Sequence, residues 1–153
     1  MPRITPITVL QQPEQPIVSI RARAGEDDLS GVIDDCYAEI AAYLDELGEL
    51  VCDAPFVAYH NQNMMDLDLE VGFPVSRTLP ERGGIKAGSI PAGRMIFSIF
   101  RGPYHGIGAL YEEMSEWMED NDLEPLGVAY EYYYNGREYS EDDHLTKVLM
   151  PVR

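Results

Sequence analysis

Val71-Gly72-Phe73-Pro74-Val75 and Val148-Leu149-Met150-Pro151-Val152 share the pattern Val-x-x-Pro-Val, which closes each half of the chain. Two shorter pairs precede this closing marker in the same order. The Ser-Ile marker occurs at Ser19-Ile20 and Ser98-Ile99, and the Val-Ala-Tyr marker occurs at Val57-Ala58-Tyr59 and Val128-Ala129-Tyr130. Three markers in one order indicate a duplicated unit whose loops differ in length. Biased composition is the alternative explanation.

The same succession of elements is predicted in both halves. Apolar residues at helical spacing from Leu29 to Leu47 predict a helix, which Gly48 ends. The apolar face from Ile107 to Met118 predicts a second helix. Runs of β-branched and aromatic residues predict one strand before each helix and two after it. These strands are 17–22, 56–59 and 66–73 in the first half, and 95–100, 127–134 and 144–152 in the second.

The length of 153 residues fits one domain. We predict a single domain, 1–153, with pseudo-repeats at about 1–76 and 94–153 and a linker rich in Gly and Pro at 77–93. The fold class is α+β, in which tandem strand–helix–strand–strand repeats form a pseudo-twofold antiparallel or mixed sheet with two helices on one face. A central cleft between the halves is expected to hold the ligand.

The charge of the chain limits its partners. The net charge is −16, and no cluster of Lys and Arg interrupts it. Such a protein repels phosphate backbones, so no direct contact with nucleic acid is expected, whereas cations are attracted. The alternative is that the acidic residues only keep the protein soluble.

The location of the protein is predicted from what its sequence lacks. No apolar run approaches the roughly 20 residues that span a bilayer, so no membrane partner is expected. The N-terminus has no basic segment followed by an apolar one, so nothing indicates secretion. We therefore predict a cytoplasmic protein.

The run Val128-Ala129-Tyr130-Glu131-Tyr132-Tyr133-Tyr134 places one carboxylate among tyrosines. In a strand, Glu131 and Tyr133 share one face. Burying a carboxylate is costly unless it meets a cation or hydrogen-bond donors, and aromatic rings beside it attract the same cation. The pattern favours a flat, lipophilic, cationic ligand. An edge strand with Glu131 facing water and the tyrosine rings packed is the alternative.

The remaining polar residues predict neither a metal site nor a cofactor. His60, His105 and His144 lack metal-ligand spacing and are predicted to be surface or capping residues. No P-loop, no Rossmann glycine pattern and no G-x-S-x-G sequence is present. Glu70, on a comparable strand of the first half, faces either the same groove or solvent.

A set of residues in the second half resembles the GyrI-like small-molecule-binding proteins, which are related to the effector-binding domains of multidrug-responsive bacterial transcription regulators. The set comprises Phe100-x-Gly102-Pro103-Tyr104, Leu110, Tyr111, Met114, Trp117, Tyr130-Glu131-x-Tyr133-x-Asn135 and Met150-Pro151-Val152. In the first half, Glu70-Val71-Gly72-Phe73-Pro74-Val75 agrees. The resemblance spans nearly the whole chain and implies the tandem fold with its central cleft. The regulators carry a DNA-binding helical domain for which this chain has no residues, so a stand-alone ligand domain is expected.

The resemblance also implies a site. Glu131, on the penultimate strand, is expected to lie in the pocket and meet lipophilic cations, with Tyr133 beside it. The expected ligand-binding residues are Glu131, Tyr133, Tyr104, Tyr59, Phe73 and Phe97.

Three functions are compatible with this site and this composition. Binding of lipophilic compounds, cationic or aromatic, is the first hypothesis. The alternative is a hydrolase of reactive cyclopropane-bearing or similar xenobiotics with Glu131 as general base, and no other catalytic residue is assigned. A second alternative is a protein-interaction module, such as a gyrase inhibitor, whose acidic surface docks on a basic protein partner.

Overall fold

The computed structural model describes residues 3–153, and Met1 and Pro2, at the start of the first predicted repeat, lie outside the described residues. The predicted α+β class is confirmed. The helices are α1 (Leu29–Leu47) and α2 (Gly108–Asp120). The strands are β1 (Thr8–Gln12), β2 (Gln15–Ala24), β3 (Phe56–Tyr59), β4 (Leu67–Pro74), β5 (Lys86–Ile90), β6 (Gly93–Arg101), β7 (Ala129–Tyr133) and β8 (Leu145–Pro151). Single turns of 3₁₀-helix occur at Glu26–Asp28, Tyr104–Gly106 and Glu141–Asp143.

One compact unit comprises Pro13–Ala92. Its strands lie in the order β3-β4-β2-β5, and each of these pairs is antiparallel. Helix α1 packs its apolar stripe on one face of this sheet and ends as predicted at Gly48, whose φ of 68° suits glycine. One cluster of the unit's buried core comprises Val18, Ile40, Tyr43, Leu44, Val75, Leu79 and Ile85, with Phe73 and Ile20 packed against it.

The other unit joins the N-terminal segment, up to Gln12, to Gly93–Arg153. Its strands lie in the order β1-β6-β8-β7, again with antiparallel neighbours. Helix α2 covers one face, and its buried residues are Leu110, Met114 and Met118. They pack with Ile96, Phe100, Val148 and Val152 of the sheet. Helix α2 therefore marks the core face of this unit.

Two segments near the predicted repeat boundaries contain strands. Residues 77–93 were predicted as a linker, but they include β5, which pairs with β2 from Ser19↔Lys86 to Gln15↔Ile90. The sequence Lys-Ala-Gly-Ser-Ile has little β-propensity of its own, and it becomes a strand because β2 offers a free edge. The N-terminal strand β1 pairs with β6 of the second half, from Thr8↔Phe97 to Gln12↔Gly93.

Both units use the order strand–helix–strand–strand, as predicted, in β2–α1–β3–β4 and in β6–α2–β7–β8. With the closing markers aligned, Val71 corresponds to Val148. The strand partner of Val71 is Val57, and the partner of Val148 is Glu131. Val57 thus corresponds to Glu131 and not to Val128, so the Val-Ala-Tyr marker is displaced by three residues between the units.

The Ser-Ile marker is also displaced, by one residue. Ser19 lies opposite Gly72 and Phe97 lies opposite Leu149, so Ser19 corresponds to Phe97 and not to Ser98. A displacement of one residue moves a side chain to the other face of a strand. With the closing markers aligned, neither of the other two markers occupies equivalent places in the two units.

Gly72 is required by the close approach of its neighbours. A Cβ at this position would lie 2.5 Å from the carbonyl oxygen of Val18 and 2.9 Å from the ring of Phe56. We expect Gly72→Ala to lower the free energy of unfolding by about 2–3 kcal/mol, because a backbone oxygen cannot move aside cheaply. Denaturation in urea measures the change.

Gly31→Ala is the matched control for that substitution. Gly31 lies in α1, and a Cβ there meets no atom within 4 Å. This variant should be more stable than wild type by up to about 0.5–1 kcal/mol, because alanine loses less backbone entropy in a helix. Equal stability of the two variants would contradict the packing of β4 against β2.

Candidate functional site

Glu131 lies on the core face of its unit. Its strand partner is Val148, a member of the cluster under α2, and directly opposed residues share a face of the sheet. The residue is only 8% exposed. A carboxyl group therefore lies between β7 and α2, where the pattern of the core calls for an apolar side chain.

Two tyrosine hydroxyls donate hydrogen bonds to the Glu131 carboxylate. Tyr111, on α2, donates to Oε2 over 2.5 Å. Tyr133, two residues along β7 on the same face, donates to Oε1 over 2.9 Å. Both oxygens of the carboxylate are therefore held, one from the helix and one from the strand, and the side chain has a fixed position.

Burial raises the pKa of Glu131 above its ordinary value, and the hydrogen bonds from Tyr111 and Tyr133 offset only part of this effect. The cause is the loss of hydration of the charged form. No arginine or lysine of residues 3–153 contributes a compensating positive charge to it. The pKa of the Tyr104 phenol is also raised, first by burial and then by the nearby Glu131 charge.

Tyr104 and His144 form the wall of the site next to Tyr133. The ring of Tyr104 meets the ring of Tyr133 edge-on, with centroids 5.6 Å apart, and stacks on the His144 ring at 5.0 Å. Tyr104 is 43% exposed, so this wall reaches solvent. The prediction of His144 as a surface or capping residue is wrong, because the ring is buried under Tyr104 and its Nε2 bonds the carbonyl oxygen of Gly136 at 3.1 Å.

Two buried polar atoms beside this wall lack hydrogen-bond partners. They are His144 Nδ1 and Thr146 Oγ1, and no other buried side-chain nitrogen or oxygen of residues 3–153 is in this state. Thr146 lies directly opposite Tyr133 and alternates with Val148 along β8, so it shares the face of Glu131. We call Glu131, Tyr111, Tyr133, Tyr104, His144 and Thr146 the Glu131 site.

The structure brings only some of the predicted ligand-binding residues together. Glu131, Tyr133 and Tyr104 are in contact within one unit. Phe97, in the same unit, alternates with Ile96 and Ser98 and lies on the sheet face away from α2.

Tyr59 and Phe73 belong to the other unit. Tyr59 lies opposite Leu69, and Phe73 packs edge-on against Tyr37 of α1 with ring centroids 5.3 Å apart. Their part in ligand binding, like the central cleft itself, stays a prediction.

Glu70 lies in a different setting from Glu131. It alternates with Val71 and Phe73 along β4 and so lies on the sheet face away from α1. Its carboxylate accepts a hydrogen bond from the Ser19 hydroxyl at 2.7 Å and lies 3.0 Å from Nε2 of His60. Within the described part of the chain, no group of three or more His, Cys, Asp or Glu side chains is placed to hold a metal ion.

Tyr111, His144 and Thr146 belong to the site but were not predicted as ligand-binding residues. Tyr111 was counted with the apolar face of α2, although a buried tyrosine hydroxyl usually needs a polar partner. The need of the Tyr111 hydroxyl for a polar partner was the signal available in the sequence, and the structure shows Glu131 as that partner. His144 and Thr146 gave none, because their burial depends on how β8 pairs with β6 and β7.

These features define an α+β ligand-binding domain with a buried acid in an aromatic site. The model of the GyrI-like small-molecule-binding domain matches residues 5–153, and the chain belongs to this family. The chain matches none of the curated proteins. None of the helices within residues 3–153 has the length and apolar character needed to cross a bilayer.

Solved structures share the fold. EcmrR in a complex with DNA superposes with a TM-score of 0.85 at 22% identity, over 97% of this chain and 57% of that one. The chain thus spans little more than half of the EcmrR chain, and the crystallised C-terminal domain of EcmrR matches at a TM-score of 0.80 and 20% identity over 98% of both chains.

Two further structures are similar over most of their length. A hydrolase from Listeria innocua gives a TM-score of 0.74 at 13% identity, over 100% of this chain and 94% of that one. SAV2435 bound to tetraphenylphosphonium gives 0.68 at 12% identity, over 97% and 94%. At these identities the likeness concerns the fold.

The burial of Glu131 predicts how stability depends on pH. Because the pKa of Glu131 is raised in the folded chain, its contribution to stability is full below the unfolded pKa of about 4.3 and is lost as pH rises through the folded pKa. Glu131→Gln removes this loss. The melting temperature of the variant minus that of wild type should therefore increase between about pH 4 and pH 8.

Tyr132→Phe is the control for this pH series. Tyr132 lies on the opposite face of β7, with the Lys147 ammonium 4.3 Å from its ring centroid. Its melting temperature should follow that of wild type at every pH. If the melting temperatures of wild type and Glu131→Gln changed in parallel with pH, burial would not raise the pKa of the Glu131 carboxyl.

Proposed function

We propose that this domain binds lipophilic cations, with Glu131 as the counter-charge and Tyr104, Tyr111 and Tyr133 as the aromatic surround. The observation that carries the proposal is a buried carboxylate whose bonds are donated by neutral tyrosine hydroxyls. A buried charge without an opposite charge is costly, and a cationic ligand removes that cost. The rings add cation–π attraction for the same ligand.

Other acids of the chain have cationic partners of their own, which supports a distinct role for Glu131. Asp66 and Asp68 bond Arg23 and Arg21, and Glu113 bonds Arg3, all in exposed or half-exposed positions. Glu131 is more buried than these acids, and its partners are uncharged. A cation that reaches it replaces lost hydration rather than an existing salt bridge.

The other unit provides an internal comparison. At the place of Glu131 it carries Val57, which is fully buried opposite Val71. The same fold therefore forms with an apolar residue at this position. A carboxyl that folding does not require, at a position where it is costly, is typical of a functional site.

A structure of the same fold supports the ligand class. SAV2435, at 12% identity, is described as bound to tetraphenylphosphonium, which is a lipophilic cation. The net charge of −16 also favours the approach of cations.

Calorimetric titration with tetraphenylphosphonium, and with the neutral triphenylphosphine oxide alongside, tests the proposal. Glu131→Gln should weaken binding of the cation about 10- to 100-fold and leave the neutral compound unaffected, because only the cation interacts with the charge. Binding of the cation favours ionised Glu131, so wild type should release protons on binding, and affinity should rise with pH.

Glu70→Gln makes the same chemical change on a strand acid that faces away from α1, and it serves as the control. It should bind both compounds as wild type does. Equal affinity of wild type and Glu131→Gln for the cation, or binding without proton release in buffers of different ionisation enthalpy, would refute the role of Glu131.

A second candidate function, hydrolysis of strained electrophiles, is favoured by the raised pKa of the Glu131 carboxyl. A carboxyl whose pKa lies nearer to neutrality is better suited to proton transfer. Ionised Glu131 would accept a proton from water as the water oxygen bonds a cyclopropane carbon. The ring bond to that carbon breaks, its electron pair moves to the other ring carbon, and that carbon receives the proton from Glu131.

Mass analysis of a bound cyclopropane-bearing electrophile separates the two functions. Hydrolysis gives a product heavier by one water, and Glu131→Gln should abolish its formation while Tyr132→Phe does not. Recovery of the unchanged compound from wild type would leave binding as the function.

A further inference from the structure

His144 and Thr146 contribute two unbonded polar atoms beside the wall of the Glu131 site. Nδ1 of His144 and Oγ1 of Thr146 are buried without hydrogen-bond partners, and the residues are 7% and 0% exposed. Buried polar atoms are almost always bonded, so two such atoms in one site call for an explanation. A buried polar atom that has no hydrogen-bond partner lowers the stability of the fold.

The unused atoms lie close to Glu131 through a continuous set of contacts. The His144 ring stacks on Tyr104, Tyr104 meets Tyr133, and the Tyr133 hydroxyl bonds Glu131. Thr146 lies directly across from Tyr133 on the neighbouring strand, where opposed Cβ atoms are about 4.5–5.5 Å apart. Direct contacts therefore link Glu131 to His144 through Tyr133 and Tyr104, and Thr146 adjoins Tyr133.

The two unbonded atoms of the wall can both accept hydrogen bonds. The bond to the Gly136 carbonyl oxygen requires a hydrogen on Nε2 of His144, so in the neutral ring Nδ1 offers a lone pair. The Thr146 hydroxyl offers lone pairs as well as its own hydrogen. The hydroxyls of Tyr111 and Tyr133 are already used on Glu131. A ligand that donates hydrogen bonds therefore satisfies both unbonded atoms.

The fold does not require these polar groups. With the closing markers aligned, Thr146 corresponds to Leu69, which is fully buried on β4 opposite Tyr59. Tyr59 in turn corresponds to Tyr133. The other unit keeps the tyrosine and pairs it with leucine, so an apolar residue at position 146 is compatible with the same packing.

We infer that His144 Nδ1 and Thr146 Oγ1 form a second subsite, which selects cations bearing N–H groups, such as protonated amines and amidines, over fully alkylated cations. This inference rests on the proposed binding of cations at Glu131. In this arrangement the ammonium group of the ligand lies between the Glu131 carboxylate and the two acceptors, and the aromatic part of the ligand lies against Tyr104. Fully alkylated cations keep the attraction to Glu131 but cannot bond His144 or Thr146.

The test compares two probes with the same aromatic part and the same charge, 2-naphthylmethylammonium, which has three N–H groups, and its N,N,N-trimethyl derivative, which has none. Thr146→Val removes the hydroxyl at nearly constant volume. It should weaken binding of the primary ammonium about 5- to 20-fold and change binding of the trimethyl derivative less than about twofold. His144→Phe keeps a ring to stack on Tyr104 and should act in the same direction.

Thr8→Val is the matched control, because its hydroxyl bonds Pro6 in an exposed position outside the site, and it should bind both probes as wild type does. Glu131→Gln should weaken both probes. If it does so while Thr146→Val and His144→Phe change neither, the subsite is wrong and the proposed function stands. If Glu131→Gln also changes neither, or neither probe binds wild type, both are wrong.

Discussion

Tyr111 of α2 and Tyr133 of β7 both donate hydrogen bonds to the buried carboxyl group of Glu131, and the bond from Tyr111 joins α2 to β7. These hydrogen bonds fix the position of the carboxylate but do not neutralise its charge, because a phenol hydroxyl carries no positive charge. Loss of hydration then dominates, and the pKa of Glu131 is raised. The site is thereby rigid and electrostatically unsatisfied, and these two conditions favour discrimination between ligands.

The two units share one pattern of strand pairing, and comparing them separates what packing requires from what the site adds. On the helix-covered face, one unit carries Val57 and Leu69, and the other carries Glu131 and Thr146 at the corresponding places. Each pair lies on two antiparallel strands beneath the helix of its own unit, α1 or α2. Packing is satisfied in either case, so the polar pair costs stability that the apolar pair retains. The likeness of the units lies in backbone pairing, and their difference lies in side-chain chemistry.

Periodicity was sufficient to predict the elements, because α1, α2 and the main strands bury one stripe or one face each. It was not sufficient for the register. Val57-Ala58-Tyr59 and Val128-Ala129-Tyr130 are identical in sequence. With the closing markers aligned, however, Val57 corresponds to Glu131, which lies three residues after Val128. The register of strand pairing follows from cross-strand contacts and loop lengths, and a short identical sequence motif does not determine either of them. For the same reason β5 was missed, since it exists only through pairing with β2.

Some residues of the site could likewise be predicted from strand alternation, and others could not. Glu131 and Tyr133 were predictable as neighbours because alternation along one strand places them on one face. Phe97 was predicted with them, but strand parity places it on the face away from α2.

His144 and Thr146 could not be anticipated, because their significance depends on being buried and unbonded at once. Local rules of satisfaction are broken where a site is kept ready for another molecule. In this domain the broken rules are a carboxylate without a cation and two acceptors without donors, all on the face of the sheet that α2 covers. An ammonium group supplies both the charge and the donors that these three groups lack.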